Sequence, residues 1–298
     1  VPIGVIAEAA GRCELAASRQ QLRRAEIMKH WTLDQIPWSA FDRSKVDPEV
    51  VKLVKAAALV EFNGGDYATY LGRVFGDDGE FRAAADEWAG EEVQHGLALA
   101  RWAKLADPEF DFDAAFKRFT DGYAIPLDVT ASIRGSRSGE LVARCIVETG
   151  TSSYYTALTE ATTEPVLQAI CRNIAADEFR HYKLFYSYLR RYLAREGLSA
   201  WGRLRISLGR LAESEDDELA YAYFAANHPA ESYDRQRFSN AYARRAYAVY
   251  RRHHVERGIA MALKASGLNP TGRLNRCLTG LACWFMQFRV RKLAALNA

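Results

Sequence analysis

The chain has 298 residues, of which 49% are hydrophobic and 26% charged, and its formal net charge is +3. This composition is ample for a sizeable apolar core. No apolar run reaches the roughly 18 to 20 residues of a membrane-spanning helix, because the longest one, 278–290, is interrupted by Gln287 and Arg289. Glycine and proline are scarce within the periodic segments and no alternating pattern predicts a strand, so we expect an all-α fold.

The five cysteines form no Cys-x-x-Cys pair and are odd in number. This pattern argues against a disulfide framework and against a zinc or rubredoxin-type centre, and it fits a reducing compartment. Residues 1–10 lack the basic segment with which a signal peptide begins. We therefore expect a cytoplasmic location.

The first part of the chain is predicted to form an N-terminal helix and then two antiparallel helices. The N-terminal helix covers 15–30, and a connector follows it as far as Asp47-Pro48, a typical helix start. Helix one is predicted over 49–75 and helix two over 80–105, joined by the tight turn Gly76-Asp77-Asp78-Gly79.

A long connection separates this pair from a second pair of antiparallel helices. It contains a short predicted helix at 111–120 and ends near Ser138, where helix three begins. Helix four follows the break at Thr163-Glu164-Pro165. Two helix pairs joined by a long crossover have the order of a ferritin-like bundle.

Beyond residue 195 the periodicity is less regular. Helices are predicted over 199–211, 232–266 and 271–295, and the last is basic with interleaved aromatic residues. His253 and His254 are adjacent, so a helix would point them to different faces, and a surface or packing role is favoured over metal binding.

The charge is divided unevenly along the chain. Residues 182–298 contain 20 Lys and Arg against 9 Asp and Glu, a net charge of +11, which leaves −8 for 1–181. We assign 1–195 to a helical bundle with its N-terminal helix, and 196–298 to a basic helical extension packed on it within one domain. The extension is either a landing surface for an acidic partner or a solvated helical face.

Four of the predicted helices carry acid or imidazole on the face that should be buried. These residues, which share a stripe of apolar side chains spaced three and four apart, are Glu61 in helix one, Glu92 and His95 in helix two, Glu148 in helix three, and Glu178 and His181 in helix four. Glutamate and histidine three residues apart lie about 60° from one another around a helix, so both can reach one metal ion. Because the spacing is duplicated, a chance cluster of surface charges is the weaker explanation.

The charges of this set favour two divalent cations. A buried, unpaired carboxylate costs several kcal/mol, and four glutamates with two neutral histidines carry four negative charges. One Glu from each of two helices plus Glu-x-x-His from each of two others is the ligand set of ferritin-like di-iron and di-manganese proteins. We therefore predict a ferritin-like four-helix bundle, with a long crossover between helices two and three and additional C-terminal helices, that binds two ions of iron or manganese.

From Trp31 to Tyr188 the chain resembles the soluble acyl-ACP desaturases, a branch of the ferritin-like di-iron superfamily. The likeness lies in Trp31 with Ile36-Pro37-Trp38, in Glu61-Phe62-Asn63, in Glu91-Glu92-Val93-Gln94-His95-Gly96, in Glu148 with Thr151, and in Ile174-Ala175-Ala176-Asp177-Glu178 with His181. The chain departs from the family at Val93-Gln94, where a more polar pair is usual, and in its basic C-terminal hundred residues.

The resemblance implies roles for individual residues. The six glutamates and histidines look like the iron ligands, with Glu92 and Glu148 as bridges. Asp177 resembles the acceptor that fixes a ligand imidazole, with Trp31 as its neighbour, and the alternative is a solvent-facing charge. Thr151 resembles the hydroxyl that binds dioxygen or delivers a proton, whereas a helix-interior threonine would bond the backbone behind it. Tyr155 lies on the site-facing stripe and is a candidate for a radical or substrate-side role.

The expected function is a di-iron, O2-dependent oxidoreductase that desaturates or hydroxylates an apolar substrate, which the resemblance implies is carrier- or thioester-linked. The chain has no flavin or nicotinamide fingerprint, so we expect an external electron donor such as a ferredoxin. We also expect the protein to form a homodimer. The alternatives are a ferroxidase or iron store, a hydroxylase or N-oxygenase of another substrate, and a metal-stabilised binding module whose basic tail contacts an acidic partner. An apolar tunnel that leads from the metals would favour the enzyme. A metal site closed by bulky side chains would favour the binding module.

Overall fold

A computed structural model describes residues 30–213 and 217–295. The regular structure of these residues is entirely helical. The chain divides into two compact units, Val1–Gln35 and Ile36–Ala298. The predicted N-terminal helix at 15–30 lies, apart from its last residue, outside the described residues, and the described part of the first unit contains the short 3-10 helix Leu33–Gln35.

The second unit begins with two 3-10 helices, Trp38–Ala40 and Arg43–Lys45, and continues with α-helices. In chain order these are α1 (Pro48–Phe62), α2 (Gly64–Val74), α3 (Gly79–Ala106), α4 (Phe112–Gly122), α5 (Arg137–Ala161), α6 (Pro165–Glu196), α7 (Ala200–Glu213), α8 (Asp217–Asn227), α9 (Arg235–Ala248), α10 (Arg252–Ala265) and α11 (Arg273–Ala295). No helix among the described residues combines the length and the apolar character needed to cross a membrane.

Two of the predicted helices are interrupted. Helix one is divided at Asn63 into α1 and α2, where the run Asn63-Gly64-Gly65 has low helix propensity and paired glycines favour a kink. The helix predicted over 232–266 is divided into α9 and α10. Its break has no glycine or proline. Instead, the Arg251 N–H donates to Nδ1 of His254 at 3.0 Å and so begins a new helix.

The starts of the longest helices follow from their sequence. Asp47 caps α1 through the Glu49 N–H, with Pro48 in the first turn, as predicted. Asp78 caps α3 and Ser136 caps α5 in the same way. Glu164 caps α6 through the Leu167 N–H and is fully buried.

Side-chain contacts show that α1 and α3 are antiparallel, as are α5 and α6. Lys55 of α1 pairs with Asp107 beyond the end of α3, whereas Gly64, after the end of α1, lies against Glu92 near the middle of α3. In the second pair, Thr159 near the end of α5 is bonded to Gln168 near the start of α6. Helix α3 also packs against α6, which joins the two pairs.

The C-terminal helices cover the helices that carry the glutamates. Helix α8 packs on α1, whereas α7 and α10 pack on α5, and α11 packs on α9 and α10. All of them belong to the unit that begins at Ile36. The C-terminal hundred residues are therefore part of the body of this unit, and they help to enclose the space beside the buried glutamates.

Candidate metal centre

The six predicted ligands lie together in the interior, on α1, α3, α5 and α6. They form two groups, in each of which one ligand atom per residue lies within 4.8 Å of the others. The first group is Glu61, Glu92, His95 and Glu178, and the second is Glu92, Glu148, Glu178 and His181. All six side chains are buried. Each group offers three carboxylates and one imidazole, a donor set that could hold a metal ion.

Glu92 and Glu178 belong to both groups. Each of them precedes a histidine by three residues, so both come from the Glu-x-x-His segments of α3 and α6. The expectation that Glu148 bridges does not fit this geometry, because Glu148 belongs to the second group alone. Glu178 instead belongs to both groups, and the two single glutamates, Glu61 and Glu148, each belong to one group only.

The two histidines direct the same ring atom to the carboxylates. Nδ1 of His95 lies 3.2 Å from Oε1 of Glu178 and 3.6 Å from Oε2 of Glu61. Nδ1 of His181 lies 3.1 Å from Oε1 of Glu92 and 3.6 Å from Oε2 of Glu148. The ring atom that would ligate a metal is therefore Nδ1 in both cases.

The opposite ring atom of each histidine contacts a carboxylate outside the cluster. Nε2 of His95 lies 3.0 Å from Oδ2 of Asp177, and Nε2 of His181 lies 3.0 Å from Oε2 of Glu91. An Nε2–H that donates to such a carboxylate leaves the lone pair of Nδ1 for a metal and fixes the ring. Asp177 thus has the contact that the resemblance implies, and it is buried, so it is not a solvent-facing charge.

Glu91 and Arg180 are parts of this site to which the sequence analysis gave no role. Arg180 donates to Oδ1 of Asp177 at 2.8 Å and to Oε2 of Glu91 at 2.7 Å, so one guanidinium holds both outer carboxylates. A signal was present in the sequence, because an acid directly precedes Glu92 and another directly precedes Glu178. The two segments share the pattern acid-Glu-x-x-His.

Protons neutralise this cluster when no cation is bound. Burial raises the pKa of Glu61 to about 8, and the neighbouring Glu92 carboxylate acts in the same direction. Burial likewise raises the pKa of Glu178 to about 6 and that of Glu148 well above its usual range. Burial opposes protonation of His95, but its hydrogen bonds to carboxylates hold its pKa well above the ordinary value.

The pKa values of His181 and Glu92 also depend on burial and on the neighbouring charges. Burial opposes a charge on His181, yet the surrounding carboxylates hold its pKa well above its usual range. Burial also opposes a charge on Glu92, but the imidazoles of His181 and His95 beside its carboxylate hold its pKa well below the ordinary value. Two divalent cations would supply the positive charge that the protons supply here.

Several buried polar atoms fit a metal rather than a hydrogen bond. Both carboxylate oxygens of Glu148, Oε1 of Glu178 and Nδ1 of His181 are buried and have no hydrogen-bond partner among the described residues. Such atoms cost free energy unless something satisfies them. All of these atoms belong to the same cluster, and a pair of bound cations would satisfy them.

Thr151 and Tyr155 of α5 each contact a glutamate of the cluster. Oγ1 of Thr151 donates to Oε2 of Glu178, and it also lies 3.3 Å from the Glu148 carbonyl oxygen. The backbone contact of the second alternative is therefore present, and a role of the hydroxyl towards dioxygen or in proton delivery stays a prediction. The Tyr155 hydroxyl donates to Oε1 of Glu61 at 2.6 Å.

Two glycines allow the glutamate helices to approach closely. A Cβ at Gly96 would lie 2.6 Å from the backbone N of Phe62, and one at Gly64 would lie 2.5 Å from Cβ of Glu92. Neither distance is tolerable, so a side chain at either position would push α1 away from α3. These glycines hold Glu61 within reach of Glu92 and His95.

A cavity of ≈ 730 Å³ adjoins the first metal group. Glu61, Thr151 and Tyr155 are among its lining residues, so the cavity reaches one of the six candidate ligands, Glu61, directly. Its walls also include parts of α5, α8 and α9 and the connection between α4 and α5. Tyrosines and aliphatic side chains dominate the wall, and three arginines and three further glutamates add a charged portion. The sequence analysis did not predict this space, because its walls come from segments that are distant in the chain.

His253 and His254 both contact Glu160. The expectation that the two side chains point to different faces of the helix is therefore wrong at this helix start. Nε2 of His253 lies 3.0 Å and Nε2 of His254 lies 3.2 Å from Oε1 of Glu160. Nδ1 of His254 accepts the Arg251 N–H, which leaves the ring proton on Nε2. The Arg251 guanidinium also lies 3.3 Å from Glu160. A metal ion would have to displace that proton beside a guanidinium, so ion pairing between α5 and α10 describes this cluster better.

Trp31 belongs to the first unit, and its expected proximity to Asp177 stays a prediction. No protein-family model matches the chain, and no curated protein matches it in sequence. Membership of the ferritin-like superfamily therefore stays a prediction from the spacing of the six glutamates and histidines.

Proposed function

We propose that the chain is a ferritin-like four-helix bundle that binds two iron ions and oxidises a substrate with dioxygen in the adjoining cavity. The observation that supports this most strongly is the arrangement of the ligands beside that cavity. Two buried groups of carboxylates and imidazole share Glu92 and Glu178, and the cavity reaches the first group through Glu61. Two ions held by shared carboxylates, next to room for a substrate, are what such chemistry requires.

The choice of iron follows from the ligands and from the reaction. Carboxylate oxygen with imidazole nitrogen suits iron or manganese, and affinity alone would favour copper or zinc. Bound ferrous iron would supply the electrons that activate dioxygen and the oxidising power that an unactivated C–H bond demands. Manganese remains the alternative metal. The electrons for a second turnover come from an external donor, for which a ferredoxin is our expectation.

The protein's own residues would orient and protect this chemistry. Asp177 and Glu91, held by Arg180, keep the two imidazole rings in a single orientation with Nδ1 towards the ions. Thr151 lines the cavity and its hydroxyl contacts Glu178. This hydroxyl would pass a proton between the Glu178 carboxylate and a substrate in the cavity. Tyr155 orients Glu61 and would titrate only at high pH, because burial raises its pKa. Tyr155 remains a candidate to carry a radical or to contact the substrate.

The cavity favours an enzyme over the other two classes. A metal that only stabilised a binding module would need no space of ≈ 730 Å³ reaching its ligands. A ferroxidase or iron store would need a path for ions, whereas the walls here are largely tyrosines and aliphatic side chains. Desaturation and hydroxylation both fit this arrangement, as does N-oxygenation. A homodimer and an acidic partner at the basic C-terminal region remain part of the proposal.

The test is single-turnover chemistry with the full chain. The protein is reconstituted with ferrous iron under argon, mixed with candidate carboxylic acids or acyl thioesters, and exposed to dioxygen, and the products are analysed by mass spectrometry. Loss of two hydrogens indicates desaturation, and gain of one oxygen atom from labelled dioxygen indicates oxygenation. The Glu92→Ala variant, which removes a ligand common to both groups, is the control and is expected to give neither product. Product formation independent of iron would overturn the proposal.

A further inference from the structure

We propose that Arg144 binds a carboxylate of the substrate, so that the substrate is a free carboxylic acid held whole within the cavity rather than an acyl group attached to a carrier. This inference rests on the proposed function, whose substrate class it names. It follows from the position of Arg144 in the cavity wall, from its burial, and from the hydrogen bonds that it lacks.

Arg144 is a buried cation that lies near Glu140 but whose Nε has no hydrogen-bond partner among the described residues. The residue is 7% exposed and lines the cavity. Its nearest carboxylate oxygen is Oε1 of Glu140, 3.7 Å from its Nε, which is too long for a hydrogen bond. The Nε atom is buried without a hydrogen-bond partner among the described residues. A guanidinium has five N–H donors, and leaving them unused in a buried place is costly.

The acids and the tyrosine near Arg144 also make other contacts. Oε2 of Glu140 accepts the hydroxyl hydrogens of Tyr70 at 2.8 Å and of Ser132 at 2.7 Å. Tyr67 donates its hydroxyl to Oε1 of Glu218 at 2.7 Å, and its ring lies 4.7 Å from the Arg144 guanidinium carbon. The tyrosine face therefore covers one side of the guanidinium and leaves the N–H groups in its plane for a ligand.

Another arginine of the same wall shows the contrast. Arg134 donates to both carboxylate oxygens of Glu213, at 2.6 Å and 2.5 Å, in the fork geometry that arginine prefers. It is satisfied without a ligand. Arg144 has no such fork-shaped pair of hydrogen bonds among the described residues, since Glu140 stays 3.7 Å from its Nε, and a substrate carboxylate would supply the missing pair of acceptors.

The spacing along α5 places the metal site at a substrate's other end. Arg144, Val147 and Thr151 line the cavity at steps of three and four residues, so they share one face of α5. Seven residues of helix correspond to a rise of about 10 Å. A carboxylate at Arg144 therefore directs the body of a small acid along this face towards Thr151 and the metal ligands.

Charge selects a carboxylate over a phosphate. Glu140, Glu213 and Glu218 also line the cavity, so a dianionic phosphate would meet more repulsion than a monoanionic carboxylate. An acyl group joined to a carrier through a thioester has no carboxylate and would leave Arg144 unsatisfied.

The experiment measures binding without turnover. The full chain, loaded with ferrous iron under argon, is titrated calorimetrically with straight-chain carboxylates from acetate to decanoate and with benzoate and phenylacetate. Each acid is matched by its primary amide and, for the straight chains, by the alkyl phosphate of similar length. At least one carboxylate is expected to bind about tenfold or more tightly than both of its matched compounds.

The variants separate Arg144 from other binding modes. Arg144→Met is expected to abolish the preference for the carboxylate, and Arg144→Lys, which keeps the charge but loses the fork, to keep part of it. Arg210→Met removes another arginine of the same wall and is expected to keep the preference. Circular dichroism and iron stoichiometry verify that each variant is folded. Should Arg144→Met retain the preference, the carboxylate binds the metal instead and the inference is wrong.

The remaining outcomes distinguish this inference from the proposed function. Equal binding of acids and amides, or tighter binding of phosphates, would overturn the assignment of a carboxylate site even if the enzyme oxidises thioesters. Carboxylate binding that depends on Arg144 would support the inference even if no oxidation product is found.

Discussion

Nε2 of His95 on α3 lies 3.0 Å from Oδ2 of Asp177 on α6. The same contact occurs in the opposite direction, from His181 on α6 to Glu91 on α3. Each Glu-x-x-His segment therefore supplies the carboxylate that orients the histidine of the other. Arg180 joins the two carboxylates, so the orientation of both rings depends on one hydrogen-bonded network between α3 and α6.

Breaking this network should weaken metal binding while leaving the six ligands in place. Asp177→Asn and Glu91→Gln each remove the carboxylate that fixes an imidazole, and we expect a loss of about 10- to 100-fold in affinity for ferrous iron. Competition with a chelator of known affinity measures the effect. Glu87→Gln, an exposed acid of the same helix as Glu91, is the matched control and should bind iron as the wild type does. Equal affinities in all three variants would rule out this role.

The metal-free protein should lose stability as the pH rises from about 5 to about 8. The folded state holds protons on Glu61, with a pKa of about 8, and on Glu178, with a pKa of about 6, that the unfolded chain releases near its ordinary pKa of 4.5. The stability that these groups contribute is complete below pH 4.5 and is lost as the pH passes their folded pKa values. The raised pKa values of His95 and His181 act in the same direction above pH 6.5.

Bound metal should reverse this dependence, because the cations displace those protons and their affinity rises with pH. Thermal unfolding in chelator and in excess ferrous iron under argon, at several pH values, measures both curves. A metal-free protein whose melting temperature rises between pH 5 and pH 8 would contradict the assignment of buried, protonated carboxylates.

The Thr151 hydroxyl should matter for turnover more than for folding. Thr151→Val removes the hydroxyl that donates to Glu178 and keeps the shape, and we expect single-turnover oxidation to slow by about 10- to 100-fold. Thr151→Ser keeps the hydroxyl and should retain most of the rate. Thr156→Val is the control, because within the described part of the chain the Thr156 hydroxyl bonds only the Ser152 carbonyl oxygen of its own helix, at 2.7 Å. If Thr151→Val and Thr156→Val react equally fast, Thr151 has no part in the proton transfer.

Filling the cavity should block the substrate without removing the metal. Gly150 lines the cavity next to Thr151, and a Cβ there would meet no atom within 4 Å. Gly150→Phe is therefore expected to fold and to bind iron normally but to lower product formation by about tenfold or more, because the ring occupies the space of the substrate. Gly150→Ala, which adds one methyl group, is the control. Unchanged turnover in Gly150→Phe would show that the substrate binds elsewhere.

Much of the fold could be predicted from the sequence because its signals are local. Capping residues such as Asp47, and the breaks at 76–79 and 163–165, mark the helix ends within a residue or two. The division at Asn63 also had a local signal in Gly64-Gly65. The break before Arg252 had none, because it depends on His254 accepting the Arg251 N–H.

The burial of the six glutamates and histidines could be predicted because each shares a helix face with apolar residues, a pattern that periodicity detects. Glu91 and Arg180 were harder to predict, because Arg180 lies in the same segment as a ligand but acts across α3 and α6. The cavity could not be predicted, since Arg144 and Tyr242 come from helices whose packing no local pattern specifies.

The number of ferrous ions bound per chain tests the central claim most directly. Anaerobic titration of the full chain, followed by metal analysis after gel filtration, should give two ions. Glu178→Ala, which removes a ligand common to both groups, should lower the binding of both, whereas Glu148→Ala should leave the first group intact. A wild-type chain that binds no ion or only one would contradict the two-metal centre.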